Sequence, residues 1–172
     1  MKNIILIGAG GHCKSCIDVI ESEKKYKIVG LIDKNKNSIN KNYKILGDDN
    51  ILELLLKKTK FALITLGQIK NLKKRENLFN KLKKIGFKFP SIISPFAYVS
   101  SNAIIGKGTI IMHGAVVNAG ARVGTNCIIN SKALIEHDAV VGNNCHLSTR
   151  STLNGEVNVG DNSFIGTHTV IK

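Results

Sequence analysis

Tryptophan is absent from the sequence, and aromatic residues make up only 5% of its 172 positions. Proteins that bind single-stranded nucleic acid stack the bases on aromatic side chains set in a basic groove, and no interleaving of basic and aromatic residues that would stack bases appears here. The net charge of +13 therefore does not indicate a nucleic-acid partner.

Long apolar runs are also missing. The longest aliphatic run near the start is Ile4–Ile7, which is too short for the core of a signal peptide or for a membrane span. We therefore expect a cytoplasmic protein with no membrane-spanning segment. The apolar residues, 43% of the total, are nonetheless enough to form a hydrophobic core.

The excess of basic over acidic residues lies almost entirely in the first half. Residues 1–90 contain 20 lysines and arginines against 8 aspartates and glutamates, whereas residues 91–172 contain 5 against 4. Because the excess lies on lysines spread along the predicted helices, we interpret it as a solvated surface. Its positive field would favour anionic small molecules.

Apolar segments alternate with amphipathic ones through the first half, as strands alternate with helices in a parallel sheet covered by helices. The predicted elements are strands over 3–8, 26–33 and 61–67, helices over 12–22, 48–58 and 71–86, and a loop over 34–47. We therefore predict a small Rossmann-like α/β domain. Both prolines fall within 89–97, and we place the boundary between domains 1–90 and 91–172 there.

In the second half, an aliphatic residue recurs at every sixth position without interruption, from Val99 to Ile171. A small residue precedes most of them by two positions, as Cys127 and Cys145 do. An α-helix cannot keep this period, whereas a parallel β-helix built from hexapeptides can. We therefore predict a three-sided parallel β-helix in which Cys127 and Cys145 stack as structural residues.

His137 lies between two carboxylates in the sequence E-H-D. A carboxylate bonded to one imidazole nitrogen raises the basicity of the other, so His137 is a candidate general base. His137 and His146 both occupy positions that project outwards from the predicted β-helix. So do His113 and His168, which we interpret as solvated loop histidines.

Two motifs carry a resemblance to a known family. They are G-A-G-G-H at 8–12 and N-x-x-x-x-I-E-H-D at 130–138, the second followed by His146 nine residues after its own histidine. Over essentially its whole length the chain resembles bacterial sugar acyltransferases of the sialic-acid O-acetyltransferase type (NeuD-like). These include N-acetyltransferases of UDP-4-amino-4,6-dideoxy sugars (PglD-like). The resemblance implies a left-handed β-helix, a homotrimer and acetyl-CoA as co-substrate, with no metal.

The resemblance also implies roles for individual residues. His137 would be the general base and Asp138 its partner, with Glu136 as the alternative partner. Gly155 would offer a backbone N–H to the thioester oxygen, and the acetyl-CoA side of the site would comprise His146, Gly155 and Thr167. The nucleotide sugar, with its phosphates on the glycine turn, would be bound by Gly10, Gly11, His12, Asp33, Lys34, Gly67 and Asn130.

The sequence departs from the family pattern in several places. Cys13 stands where a dinucleotide-binding turn has its third glycine, and Lys34 replaces an acidic residue of some relatives. G-Q-I-K-N at 67–71 replaces the G-N-N of the amino-sugar N-acetyltransferases. The hexads run to Lys172 without a capping segment, so we expect either further C-terminal coils or a donor groove completed in another way.

The resemblance leads us to predict an acetyl-CoA-dependent N-acetyltransferase of a UDP-linked 4-amino-4,6-dideoxy sugar in surface-glycan synthesis. O-acetylation of a sialic or other nonulosonic acid is the alternative. Two other classes rank lower. One is a zinc lyase that recruits His113, His137 and His146 across a subunit boundary, and the other is a non-catalytic trimeric scaffold.

Overall fold

The computed structural model describes residues 1–35, 42–68 and 72–172. The elements of the first half are β1 (Lys2–Ile7), α1 (Gly11–Glu23), β2 (Tyr26–Ile32), β3 (Ile45–Gly47), a 3₁₀ turn (Asp49–Ile51), α2 (Leu52–Leu56), β4 (Phe61–Ile64) and α3 (Leu72–Ile85). The four strands form one parallel sheet in the order β3-β2-β1-β4.

The central strand β1 explains the layering of this domain. Ile4 and Leu6 pack into the core under α1, whereas Ile5 and Ile7 pack into the core under α2 and α3. Since successive side chains of a strand point to opposite faces, the uninterrupted aliphatic run is what a sheet covered on both faces requires. The predicted parallel α/β sheet is confirmed.

The prediction of a loop over 34–47 is wrong at its end. Ile45–Gly47 forms an edge strand, with the Leu31 amide donating to the Lys44 carbonyl and the Asp33 amide to the Gly47 carbonyl, each at 3.0 Å. Three residues are too few to reveal a strand's alternation in the sequence. The predicted helix over 48–58 is likewise reduced to a 3₁₀ turn and the five-residue α2. Residues 36–41 of the predicted loop lie outside the described residues.

The second half consists of two-residue strands at six-residue intervals. They are β5 (Ile92–Ile93), β6 (Tyr98–Val99), β7 (Ile104–Ile105), β8 (Ile110–Ile111), β9 (Val116–Val117), β10 (Arg122–Val123), β11 (Ile128–Ile129), β12 (Leu134–Ile135), β13 (Val140–Val141), β14 (His146–Leu147), β15 (Thr152–Leu153), β16 (Asn158–Val159), β17 (Phe164–Ile165) and β18 (Val170–Ile171). The hexads thus begin with β5, one repeat earlier than predicted.

These strands form a triangular prism. Each pairs in parallel with the strand three hexads further on, as Ile110 does with Ile128 and Ile128 with His146. The result is three parallel sheets, which is the arrangement of a left-handed β-helix and confirms the predicted fold. The second residue of each strand points inwards, and the small residues lie beside it, so that Cys127 and Cys145 are fully buried in the prism core.

The chain turns at three corners, which we number by their order along each coil. The corner residues from 108 to 168 all have a positive φ, between 55° and 76°. Corner 1 contains Gly108, Asn126, Asn144 and Asn162; corner 2 contains Gly114, Lys132, Arg150 and His168; corner 3 contains Gly120, Asp138 and Glu156. Face 1 lies between corners 1 and 2, face 2 between corners 2 and 3, and face 3 between corners 3 and 1.

The α/β domain covers face 1. Outward residues of this face, including Ile110, Met112 and Ile128, share a buried cluster with Cys16 and Ile20 of α1. Corner 3 is the corner opposite face 1, because a triangular prism has one corner across from each side. The α/β domain and corner 3 of the same chain therefore lie on opposite sides of the prism.

Candidate active site

His137 and Asp138 form a hydrogen-bonded pair at corner 3. The imidazole Nδ1–H donates to the Asp138 Oδ2 at 3.0 Å, and the two side chains are 60% and 62% exposed. Asp138 is the corner residue itself, with a φ of 59°, and this turn brings two adjacent side chains together. Because Nδ1 carries the proton in this pair, Nε2 retains a lone pair and is free to accept a proton.

The surroundings of His137 make it a stronger base. Its hydrogen bond to Asp138 is the main cause that raises the imidazole pKa above its ordinary value, and the charges of Asp138, Glu136 and Glu156 add to it. Glu136 accepts a hydrogen bond at 2.8 Å from Asn118 Nδ2, one coil earlier. The carboxylate that contacts the imidazole is therefore that of Asp138.

Two glycines of corner 3 leave room for this pair. A Cβ placed on Gly155 would lie 2.6 Å from His137 Nε2, and a Cβ on Gly120 would collide with Asp138 Oδ1. Gly155 thus lies directly against the basic nitrogen. Gly120 was not among the predicted site residues, although its position three hexads before Asp138 was available as a signal.

His146 and Asn130 lie on face 1, away from His137. Only 4% of His146 is exposed, because the imidazole is covered by the segment that follows β4. Its Nδ1–H donates to the Gln68 carbonyl at 2.9 Å, and its Nε2 accepts from Asn130 Nδ2 at 3.4 Å. Burial lowers the pKa of His146, so the ring is neutral at pH 7.

Arg75 of α3 ties the two domains together, and the sequence analysis missed it among the lysines of an amphipathic helix. The guanidinium is buried and donates to the carbonyls of Ile64, the last residue of β4, and Leu66, and to that of Asn126 at corner 1. His12 is partly buried nearby. Its Nε2 lies 3.4 Å from Cys16 Sγ, and burial, with the Arg75 charge, lowers its pKa to about 3.

The predicted phosphate-binding glycines lie at the start of α1. Gly10 is the N-cap residue and makes no side-chain capping bond, and a Cβ on Gly10 or Gly11 would meet no atom within 4 Å. The exposed amino end of this helix is suited to an anion. The His12 side chain, in contrast, turns away from this end towards Cys16 and the prism, so only its backbone shares the site with the glycines.

A cavity of about 380 Å³ opens at the carboxyl ends of β1, β2 and β4, beside the glycine turn. It is lined by Gly8, Asp33, Lys34, Asp49, Leu66, Lys74 and Lys81, among others. The Asp33 carboxylate accepts from the amides of Ala9 and Asn35 at 2.8 and 2.9 Å, which holds the turn open. Gly67 is exposed at the rim beside His12, and residues 69–71 of the predicted G-Q-I-K-N motif lie outside the described residues.

The interpretation of His113 as a solvated loop histidine is wrong. Its Nε2–H donates to Asp18 of α1 at 2.9 Å, and its Nδ1 accepts from the Ser94 hydroxyl at 2.6 Å. The partners lie 95 and 19 residues away in sequence, which no local pattern reveals. His168 is exposed as expected, and the neighbouring Thr167 shares a 2.9 Å hydrogen bond with Ser148.

The predicted site residues therefore fall into three groups within one chain. His137, Asp138 and Gly155 meet at corner 3; His146, Asn130 and Thr167 lie on face 1 and corner 2; the nucleotide-sugar residues lie in the α/β domain. Across the described ranges, no three His, Cys, Asp or Glu side chains are grouped to hold a metal ion. No helix within those ranges is long and apolar enough to cross a membrane.

Both halves of the chain are similar to known protein families. Residues 3–82 match the PglD N-terminal domain, and residues 102–137 match the bacterial transferase hexapeptide repeat. Among curated proteins there is no significant match.

Solved structures match the fold over the whole chain. The acetyltransferase domain of PglB from Neisseria gonorrhoeae, solved with acetyl coenzyme A, is 29% identical with a TM-score of 0.91, over 98% of this chain and 81% of that one. A mutant perosamine N-acetyltransferase from Caulobacter crescentus, solved with CoA and GDP-perosamine, is 24% identical with a TM-score of 0.85, over 100% and 89%. WeeI from Acinetobacter baumannii is 22% identical with a TM-score of 0.83, over 100% and 81%. The matches of residues 3–82 to the PglD N-terminal domain and of residues 102–137 to the bacterial transferase hexapeptide repeat confirm the family resemblance found in the sequence.

Proposed function

We propose that this protein is an acetyl-CoA-dependent N-acetyltransferase that acts on a nucleotide-activated amino sugar, with a UDP-4-amino-4,6-dideoxy sugar as the acceptor. The observation that carries the proposal is the His137–Asp138 pair, whose unprotonated Nε2 faces Gly155. The similarity to the PglB acetyltransferase domain, which was solved with acetyl coenzyme A, supports the choice of acyl donor.

In this proposal the sugar amine attacks the thioester carbonyl carbon while its proton passes to His137 Nε2. Asp138 accepts from Nδ1–H throughout, which keeps the ring in the reactive tautomer and stabilises the imidazolium that forms. The Gly155 N–H donates to the carbonyl oxygen as negative charge develops there. The C–S bond then breaks, and the imidazolium returns its proton to the leaving thiolate, which restores the base.

The acceptor is assigned to the α/β domain. The free amino end of α1 at Gly10 and Gly11 suits a phosphate, and the neighbouring cavity has Lys34 and Lys81 in its lining for the second phosphate and Asp33 to accept from the base or ribose. The cavity volume of about 380 Å³ is within the range of small-ligand sites.

The protein is proposed to act as a homotrimer. His137 lies across the prism from its own α/β domain, so acceptor and base can meet only if another copy supplies one of them. Asn130 and Thr167 would reach the acyl donor from the neighbouring copy, whereas His146 is only 4% exposed and has both ring nitrogens bonded within its own chain. The cytoplasmic location expected from the sequence stays a prediction.

Thiol release from acetyl-CoA tests this function. The purified protein is incubated with a UDP-4-amino-4,6-dideoxy sugar, and in parallel with a free and a CMP-linked nonulosonic acid. We expect release with the amino sugar, lowered about 10²–10⁴-fold in His137→Ala. Thiol release with the nonulosonic acids alone would show that a hydroxyl is acetylated and not an amine. No thiol release with any acceptor would refute the proposed enzyme activity.

A further inference from the structure

At the positive-φ positions of the β-helix, basic and acidic residues occur at different corners. Lys132, Arg150 and His168 occupy consecutive coils of corner 2, whereas Asp138 and Glu156 occupy consecutive coils of corner 3. Corner 1 has only glycine and asparagine at the equivalent positions. Residues 91–172 contain just 5 basic and 4 acidic residues, so this separation concentrates much of their charge on two edges.

The backbone at these corners makes this separation more informative. Positive φ is easily adopted by glycine and asparagine, which corner 1 uses, and is unfavourable for longer side chains. Lys132, Arg150 and Glu156 nevertheless adopt φ values of 59°, 57° and 63°. Because the turn of the β-helix imposes positive φ at every corner, the backbone conformation does not explain why corners 2 and 3 carry charged residues where corner 1 has asparagine.

Within one chain the backbone N–H groups of Lys132, Arg150 and Glu156 donate to the preceding coil, at the carbonyls of His113, Ser131 and His137. Stacked coils lie about 4.8 Å apart, so Lys132 and Arg150 are close enough to repel each other. Among the ion pairs formed by the described residues, none includes Lys132, Arg150 or Glu156. Both corners also border face 2, whose outward residues are Tyr98, Val116, Leu134, Thr152 and Val170. Four of these five are apolar, and Tyr98 and Val170 are 60% and 56% exposed.

We propose that corner 2 of one copy docks against corner 3 of the next copy in a ring of three, pairing Lys132 with the partner's Asp138 and Arg150 with the partner's Glu156. The proposal rests on the homotrimer of the proposed function and adds the contacts that close it. Three prisms that turn face 2 towards a common axis bring each corner 2 beside a neighbouring corner 3 at the same height.

The register of the coils fits this pairing. Corner residues of one coil are six positions apart, so the facing pairs are Gly114 with Gly120, then Lys132 with Asp138, then Arg150 with Glu156. Glycine meets glycine and each cation meets a carboxylate, with no like-charge pair. Such a head-to-tail contact is heterologous, and it closes into a ring when the rotation completes a circle.

The pairing places a lysine of one copy beside the catalytic dyad of another. Lys132 would lie near the Asp138 carboxylate, which already holds His137, and would act as a positioning residue through that carboxylate. Asp138, Glu136 and Glu156 are the charged groups that surround His137 within its own chain, and all three are acidic. The partner's Lys132 would be the cation that balances them and that completes the site only on assembly.

Exchanging the charges of Arg150 and Glu156 tests the docking and leaves His137 and Asp138 themselves unchanged. We expect Arg150→Glu or Glu156→Arg alone to raise the trimer's dissociation constant at least about tenfold by sedimentation, because each replaces attraction with repulsion. The double variant should return to within about threefold of the wild type. Arg122 is also an exposed cation but lies on face 3, so Arg122→Glu is the matched control and should leave the trimer's dissociation constant unchanged. Circular dichroism checks that each variant is folded.

Equal association of Arg150→Glu and Arg122→Glu, or no recovery in the double variant, would overturn the proposal. These measurements do not depend on enzyme activity, so they can be interpreted even if the acetyltransferase assignment fails. If activity is present, Lys132→Ala should raise the pH at which kcat/KM reaches half of its maximum by about half a pH unit. Lys132→Arg should restore the wild-type pH profile. An unchanged profile in Lys132→Ala would remove Lys132 from the site.

Discussion

Gly155→Ala is the most specific perturbation of the proposed active site. The added Cβ would lie 2.6 Å from His137 Nε2 and 2.7 Å from its Cε1, whereas non-bonded heavy atoms pack at about 3.5–4.0 Å. The imidazole must therefore move by roughly 1 Å to relieve the contact. Since the side chain of His137 is 60% exposed, the ring can move outwards without disturbing the prism core.

The expected effect on catalysis follows from this displacement. A misplacement of about 1 Å in a catalytic group can cost about 10²-fold in rate, and complete loss of the general base about 10²–10⁴-fold. We expect Gly155→Ala to lower kcat/KM about 10²-fold, with the loss mainly in kcat. The Cβ stands between the base and the attacking amine, and acetyl-CoA binding should change little.

Gly160→Ala is the matched control, because a Cβ at Gly160 meets no atom within 4 Å. Both variants add one methyl group to the same β-helix, and both should keep the wild-type thermal unfolding midpoint within a few degrees. Steady-state kinetics of thiol release at saturating acetyl-CoA compares them. Equal activity of Gly155→Ala and Gly160→Ala would refute the placement of His137 Nε2 at the reacting amine.

Further predictions concern the dyad and the domain interface. Asp138→Ala should lower kcat less than His137→Ala does. The pH at which kcat/KM is half-maximal should also fall in Asp138→Ala, because Asp138 raises the His137 pKa. An unchanged pH profile of kcat/KM would contradict this. His12 has a folded pKa of about 3 against about 6.5 when unfolded, so acidification from pH 6 to 4 protonates the unfolded state first. The free energy of unfolding should then fall by about 1.4 kcal/mol per pH unit from this group, and urea titrations of His12→Gln should show a smaller fall. Arg75→Met should lower the free energy of unfolding by about 3 kcal/mol, because three buried carbonyls lose their donor; a loss below 1 kcal/mol would contradict the assigned role of Arg75.

The parts of this structure that the sequence predicted are those set by local period. The six-residue repeat determines which residues point inwards, and it places Cys127 and Cys145 in the core as the structure has them. The aliphatic run at Ile4–Ile7 likewise determines a strand buried on both faces. Very short elements, such as β3 at the sheet edge, contain too few residues for a pattern.

The parts that the sequence did not predict depend on contacts between distant segments. Arg75 bonds to Asn126 across 51 residues, and His146 bonds to Gln68 across 78. Each looks like a solvated residue in its own segment, and each is buried only because the α/β domain packs on face 1. A motif could identify the dyad at corner 3, since both of its members are adjacent in sequence.

The most direct measurement of the central claim is the structure of the product made from acetyl-CoA and a UDP-4-amino-4,6-dideoxy sugar. NMR of the purified product locates the new acetyl group, and the same reaction with His137→Ala measures what the base contributes. The account predicts an acetamide at the sugar amine, formed about 10²–10⁴-fold more slowly by the variant. An acetyl ester on a hydroxyl, or equal rates for the two proteins, would contradict it.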